Sequence, residues 1–251
     1  MSGHSKWSTI KRKKAKVDAE RSKIFTRLIK ELVVSAREGG GDPEKNPRLR
    51  TATQAARDAN MPAANIERAI KRGTGELPGV SYEECTFEGY AGGGVAVLVE
   101  SLTDNRNRTT AEVRHIFSRY GGHLAEPGSV AYMFEPKGVI VIDGAEVGED
   151  RVLEIALESG AEDVRYEDGQ FEIVCRPDQY ESVRAGMAAA GVAYQFAEVA
   201  LYPKTTVPLD REKAVSVLRL VSALEDNDDV QKVSANFDIP GEILGEIEDQ
   251  I

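Results

Sequence analysis

A short segment containing glycine and proline, residues 74–80, divides the chain into two parts that differ in sequence periodicity and in charge. In the residues before this segment, apolar residues recur every three to four positions, as in amphipathic helices. In the residues that directly follow it, apolar residues alternate with polar ones, as in strands. Residues 1–79 carry 18 Lys and Arg against 9 Asp and Glu, and residues 80–251 carry 14 against 33. One end of the chain is therefore suited to a polyanionic partner that the rest of the chain repels.

Three short helices are predicted ahead of this boundary. The first begins near Asp18, a candidate N-cap, and ends at the glycines of residues 39–41. The second begins at Asn46-Pro47, where a capping side chain precedes a first-turn proline, and the third runs from Pro62 to Gly73. Because many inward positions hold alanine, we expect these helices to bury little apolar surface.

Strands alternate with helices behind the boundary. Strands are predicted at residues 82–90 and 95–102, and a helix follows over residues 107–120 with Asn107 as its cap. A further strand is predicted over residues 129–134.

The order strand-helix-strand-strand-helix-strand fills residues 137–202 and is typical of a ferredoxin-like fold. A helix over residues 210–225 and a strand near residues 230–237 follow without partners of their own. The economical arrangement places them with the strands of residues 82–134, which makes the ferredoxin-like unit an insertion. The predicted fold class is α+β, with an N-terminal helical domain at residues 1–79, an α/β domain at residues 80–136 plus 204–251, and an inserted ferredoxin-like domain at residues 137–203.

Basic side chains crowd the N-terminal part and make it the candidate binding surface. A lysine-rich arm surrounds Trp7, and Lys23, Arg27 and Lys30 lie at i, i+4 and i+7 in one stripe of the first helix. This density of cations suits a nucleic-acid backbone, because each neutralised phosphate releases a counterion. An inert solvated face is the alternative. The candidate nucleic-acid-binding residues are Lys6, Trp7, Lys11, Arg12, Lys13, Lys14, Lys16, Lys23, Arg27, Lys30, Arg68, Lys71 and Arg72.

Two features allow more than one interpretation. Trp7 either stacks on a base or packs the arm against the helices. The loop Thr103–Thr109 adds Arg106 and Arg108 to the candidates, because two arginines beside two amides suit phosphate or RNA, but it equally suits a structural connection between a strand and a helix. The acidic run Glu225–Asp229 is expected to form a solvated face.

Residues that perform catalysis or hold a metal do not cluster in the sequence. His4, His115 and His123 lack metal-ligand spacing, and the phosphate-loop, dinucleotide-binding and nucleophile-elbow motifs are absent. Cys85 and Cys175 are expected to be reduced and half-buried rather than joined in a disulfide. We therefore expect no enzyme activity, metal, cofactor or small-molecule substrate.

The apolar runs of the chain are short. The longest, Val95–Val99 and Val139–Ile142, have the length of strands and are far too short to span a bilayer. No apolar secretory segment follows the basic N-terminus. We therefore expect a soluble, cytoplasmic protein that does not bind membranes.

Five segments carry a resemblance to a known family: MSGHSKWSTIKRKKAK at residues 1–16, MPAANIERAIKRG at 61–73, FEGY at 87–90, LTDNRNRT at 102–109 and GSVAYMF at 128–134. They are similar to the YebC/PmpR family, whose members are named as probable transcriptional regulators and which includes the mitochondrial translational activator of cytochrome c oxidase. The resemblance implies three domains, the third inserted in the second, and a cytoplasmic, non-enzymatic protein. The chain departs from the family pattern at residues 90–94, where YAGGG stands in place of Tyr-Gly-Pro-Gly-Gly, and the loss of the proline loosens that turn.

Two functions remain open at this point. The resemblance implies either a DNA-binding transcriptional regulator or a ribosome-associated factor that contacts ribosomal RNA and assists elongation through difficult sequences such as proline runs. No predicted helix face carries a distinct base-reading set of Asn, Gln and Arg, so binding to DNA is expected to be mainly electrostatic. The sequence does not decide between DNA and RNA.

Overall fold

The computed structural model describes Trp7, residues 17–145 and residues 147–247, apart from the side chains of residues 17–21. Within this part of the chain every helix is too short or too polar to cross a membrane. Both cysteines are buried and unbridged.

Three helices form the N-terminal region: α1 (Val17–Gly39), α2 (Pro47–Asp58) and α3 (Ala63–Gly73). The predicted Asn46 cap is confirmed, because its side-chain oxygen accepts the backbone N–H of Leu49 at 3.0 Å. The amide nitrogen of the same side chain donates to the carbonyls of Ser35 and Gly40. A single buried amide therefore joins the end of α1 to the start of α2.

The core of these helices is small. Leu32 and Leu49 are fully buried, Ile66 packs with them, and four of the nine buried members of the cluster are alanine. Small side chains allow close approach: a Cβ added at Gly73 would lie 2.4 Å from the carbonyl oxygen of Val33. A core of this size leaves the placement of the helices dependent on contacts with the rest of the chain.

The first sheet has the strand order β3-β1-β2-β9 and is antiparallel throughout. Its strands are β1 (Glu83–Ala91), β2 (Val95–Thr103), β3 (His123–Leu124) and β9 (Val230–Ala235). Strands β1 and β2 form a hairpin around a short turn at Gly92–Gly94, where Gly93 and Gly94 have positive φ. Gly93 and Gly94 thus adopt a conformation that residues with a side chain avoid.

Helices α4 (Arg106–Arg119) and α7 (Arg211–Glu225) cover one face of this sheet. Phe117 of α4 and Leu218 of α7 are fully buried against the strands, together with Val97 of β2. The same core is extended by the parallel pair β8 (Val207–Pro208) and β10 (Phe237–Asp238) and by helix α8 (Gly241–Ile247).

The second sheet has the order β5-β6-β4-β7, and its pairs are all antiparallel. Its elements in chain order are β4 (Phe134–Asp143), α5 (Glu149–Glu158), β5 (Ala161–Glu167), β6 (Gln170–Cys175), α6 (Tyr180–Ala189) and β7 (Phe196–Pro203). Ile140 and Ile173 of the strands pack with Val183 and Met187 of α6. The α+β class and the ferredoxin-like element order are therefore confirmed. The chain leaves the first sheet after β3 and returns to it at β9.

Two local predictions were wrong. The cap of α4 is Asn105 rather than Asn107, because the Asn105 side chain accepts the backbone N–H of Arg108. The segment predicted as a strand over residues 129–134 contains a short helical turn, and β4 begins only at Phe134.

A buried carboxylate explains the missing strand. Glu88 accepts the backbone N–H groups of Gly128 and Val130, each at 2.6 Å, and of Ala131 at 2.9 Å. Amides held in this way cannot join a strand ladder. Burial alone would raise the pKa of Glu88, but the three backbone hydrogen bonds outweigh it and hold that pKa below its usual range.

Replacing Glu88 by Gln should lower the free energy of unfolding by about 1–3 kcal/mol, since the loop loses charge-assisted hydrogen bonds. Because the folded-state pKa is depressed, the stabilisation is present above the unfolded pKa of about 4.3 and is lost as pH falls, so the two proteins should converge in acid. Urea unfolding at pH 7 and pH 3.5 measures both effects. The matched change Glu126→Gln, at an exposed position of the same loop, should alter stability by less than about 0.5 kcal/mol. Equal effects of the two substitutions would contradict this account.

Candidate nucleic-acid interface

The lysine-rich arm lies largely outside the described residues. Lys6, Lys11, Arg12, Lys13, Lys14 and Lys16 all fall there, and the prediction that they contact nucleic acid stays a prediction. Trp7 is described and is only 5 % exposed, within the hydrophobic cluster of the first sheet. Its indole is therefore not available to stack on a base in this structure. Trp7 is packed inside the protein, as the second interpretation predicted. It packs in the core of the first sheet, however, and not against the N-terminal helices.

The cationic stripe of α1, defined as Lys23, Arg27 and Lys30, faces the protein's own acidic segment, residues 225–229, between α7 and β9. Lys23 Nζ lies 3.0 Å from a carboxylate oxygen of Asp226, and the Arg27 guanidinium donates to the carbonyl of Glu225. Lys30 Nζ lies 2.6 Å from Asp229 Oδ1 and also donates to the carbonyl of Asp228 at 2.8 Å. The stripe predicted to meet phosphates thus meets carboxylates and carbonyls of the same chain. The acidic run is therefore an internal contact, with Asp229 buried, although Asp226 and Asp228 remain exposed as expected from the sequence.

Lys30 and Asp229 form a buried ion pair at the centre of this contact. Their side chains are 8 % and 6 % exposed. The second carboxylate oxygen of Asp229 accepts from Arg108 at 2.6 Å, from Thr109 Oγ1 at 2.7 Å and from Thr103 Oγ1 at 3.1 Å. Burial alone would raise the pKa of Asp229, but the hydrogen bonds from Lys30, Arg108 and Thr109 hold it far below its usual range. Each buried charge is therefore matched by partners, as a stable buried ion pair requires.

This network supports the structural interpretation of the Thr103–Thr109 loop. Arg108 contacts Asp104 at 2.9 Å as well as Asp229, so its guanidinium is engaged within the protein. Thr103 and Thr109 bind Asp229 from the end of β2 and the start of α4. The loop is a structural connection, and Arg106 is the exposed arginine in it that lacks a carboxylate partner among the described residues.

A cluster of three exposed basic residues lies at the C-terminal end of α3. Arg68, Lys71 and Arg72 are all exposed, at i, i+3 and i+4, and in the described ranges none of them lies within ion-pair distance of a carboxylate. Arg50 and Arg57 of α2 share these two properties. Arg48, in contrast, pairs with Glu31, Glu38 and Glu84 at 2.6–2.8 Å. The helical region therefore presents unpaired cations on α2 and α3, while its α1 stripe is paired internally.

Comparison with known proteins places the chain in a family. The family model described as the TACO1/YebC N-terminal domain matches residues 5–76, and the model of the TACO1/YebC second and third domain matches residues 82–237. The chain belongs to the TACO1/YebC family. A relative from Syntrophobacter fumaroxidans is 57% identical over 98% of this chain and 100% of its own length, and one from Pelotomaculum thermopropionicum is 57% identical over 95% and 99%. Both carry the name "Probable transcriptional regulatory protein".

A solved structure supports the fold of this YebC-family chain. The crystal structure of a conserved hypothetical protein from Aquifex aeolicus has 52% sequence identity and a TM-score of 0.80, covering 92% of this chain and 96% of that one. The resemblance inferred from the five sequence segments is confirmed. The family is one of regulatory proteins and is non-enzymatic.

Sequence reasoning missed two of the buried carboxylates of this YebC-family chain, Glu88 and Asp229. Both lie among many acidic residues of the C-terminal part, where surface exposure is the ordinary expectation. A usable signal for Asp229 was the LTDNRNRT segment, whose hydroxyls and arginine need a buried acceptor. The position of that acceptor in the chain, more than a hundred residues away, carries no local pattern.

Replacing Asp229 by Asn should lower the free energy of unfolding by about 3 kcal/mol, because Lys30 is left buried without a counter-charge. The matched change Asp226→Asn removes an exposed partner of Lys23 and should cost less than about 1 kcal/mol. Urea unfolding followed by circular dichroism compares them. The depressed pKa of Asp229 means that its contribution is complete above about pH 4 and declines as pH falls, so the deficit of the Asp229→Asn variant should shrink in acid. A deficit as small as that of the Asp226→Asn variant would show that the buried pair is not stabilising.

Proposed function

We propose that this protein is a DNA-binding regulator of transcription that holds the DNA backbone with its N-terminal basic part. The observation that supports the proposal most directly is the cluster of exposed, unpaired cations Arg68, Lys71 and Arg72 at the end of α3. Relatives at 57% identity named "Probable transcriptional regulatory protein" support the transcriptional role.

The charge distribution favours one orientation on DNA. The first 79 residues carry twice as many basic as acidic residues, whereas the remainder carries 33 acidic against 14 basic residues. A duplex attracts the helical region and repels the two sheets. The sheets are therefore directed away from DNA, where they are accessible to other proteins.

Binding is proposed to be mainly electrostatic. The exposed side of α3 lacks the paired Asn or Gln side chains that read adenine, and its cations lie together near the helix end. The arm residues Lys6, Lys11, Arg12, Lys13, Lys14 and Lys16 are proposed to add backbone contacts. We also propose that the domains run over residues 1–79, 80–136 plus 204–251, and 137–203.

The dependence of the dissociation constant on salt tests this proposal. Fluorescence anisotropy with a 30-base-pair duplex should give a log–log slope steeper than about -5, since six or more phosphates are contacted. The variant Arg68→Gln/Lys71→Gln/Arg72→Gln should weaken binding at least about tenfold at moderate salt and reduce the slope by about 2–3. The control Arg151→Gln/Arg176→Gln/Arg211→Gln removes the same charge from exposed helix and loop positions beside the two sheets and should leave the slope unchanged.

Two outcomes would overturn the proposal. A shallow slope, or equal effects of the two triple variants, would show that the α3 cluster does not hold the backbone. Preferential binding of the wild-type protein to ribosomes or ribosomal RNA, with no measurable binding to duplex DNA, would favour the translational role instead.

A further inference from the structure

The contact between the cationic stripe of α1 and the acidic segment has the chemistry of a phosphate contact. Three cations on successive turns of one helix each meet an oxygen of the segment, with the Lys23 and Lys30 distances at 3.0 and 2.6 Å. The stripe is about 10 Å long at 1.5 Å per residue, which spans several phosphates of a nucleic-acid strand. Carboxylate oxygens and phosphate oxygens accept charge-assisted hydrogen bonds from the same donors.

The surroundings of this contact are polar. An open cleft of about 370 Å³ lies beside it, lined by Thr26, Tyr82, Asp104, Glu112 and Asn227 together with the ion-paired residues. Two further bridges are polar, since Arg48 pairs with Glu84 and Arg37 donates to Ser81, while Tyr82 packs against the core of the helices. The connection between the two regions, residues 74–82, is irregular and largely exposed. Polar interfaces of this kind within one chain permit relative motion of the parts they join.

The acidic segment contains more carboxylates than are needed to neutralise the buried Lys30. Asp229 alone supplies the counter-charge of the buried Lys30, yet Asp226 and Asp228 add two exposed carboxylates at the outer edge of the stripe. An exposed pair such as Lys23–Asp226 contributes little to stability. It does, however, place negative charge in front of cations that would otherwise attract anions from solution.

We propose that Lys23, Arg27 and Lys30 form a second backbone-phosphate site, which the acidic segment 225–229 occupies until duplex DNA displaces it. This inference rests on the proposed DNA-binding function and adds a regulation to it. In the closed arrangement, α3 is available to DNA and the stripe is covered. When the helices separate from the first sheet, the three cations of the stripe join the contact, and the acidic segment becomes exposed to solvent.

The test compares two double variants of the full chain with equal changes in charge. Asp226→Asn/Asp228→Asn weakens the internal competitor while keeping the buried Asp229. Asp150→Asn/Asp178→Asn makes the same substitutions at exposed positions of the second sheet unit. With a 30-base-pair duplex, the first variant should bind about tenfold or more tightly than wild type and show a steeper salt slope, whereas the second should change affinity less than about threefold. Circular dichroism verifies that both variants are folded.

Hydrogen exchange supplies a second readout on the wild-type protein. In the closed arrangement the Leu102 amide donates to the Asp229 carbonyl at 2.8 Å, and the Asp229 amide to the Asn227 side chain at 2.9 Å. Duplex DNA should accelerate exchange at these amides if it displaces the segment. A segment that serves docking alone would exchange at the same rate or more slowly when DNA is bound.

The outcomes separate this inference from the proposed function. If wild type binds duplex DNA with a steep salt slope but the two double variants behave alike, the competition is wrong and the DNA-binding function stands. If wild type does not bind duplex DNA at any salt concentration, both proposals fail. Tighter binding of the Asp226→Asn/Asp228→Asn variant to single-stranded RNA but not to the duplex would also overturn the inference, because the site would serve another nucleic acid.

Discussion

The carboxylate of Asp229 is the point at which the parts of this protein are joined. It binds Lys30 from the N-terminal helices, Thr103 from the end of β2, and Arg108 and Thr109 from α4. The helical region has a small core, so its position relative to the first sheet depends on such bridges. Because Lys30, Thr103 and Thr109 are buried, the network is strong only when all its members are present. Asp229 is therefore the central one of the contacts that orient the basic surface.

Internal pairing decides which cations can act on a partner. The sequence presents 18 basic residues in its first 79 positions as one group, but the fold engages the α1 stripe with residues 225–229 and Arg48 with three glutamates. The exposed cluster on α3 stays outside these pairs. Net charge therefore identified the candidate region, while tertiary contacts selected the surface within it.

In the first sheet, Glu88 is a second example of a tertiary contact that the local sequence did not reveal. Its carboxylate replaces the strand partners that the amides of Gly128, Val130 and Ala131 would otherwise need. Residues 130–134 form a continuous apolar run of strand length, so the local pattern pointed to the wrong structure. A side chain 40 residues away satisfied the backbone instead.

The sequence by itself determined the helical and strand elements, the break at residues 74–80 and the ferredoxin-like order, because periodicity and capping residues are local signals. Asn46 is an example, since its cap and the following proline lie side by side in the chain. Only the tertiary structure decided that Lys30 and Trp7 are buried and that Arg108 is engaged, because their partners lie far away in sequence. Charge pairs between residues far apart in the sequence leave no local pattern. These pairs decide which charged side chains are engaged within the protein and which remain available at its surface.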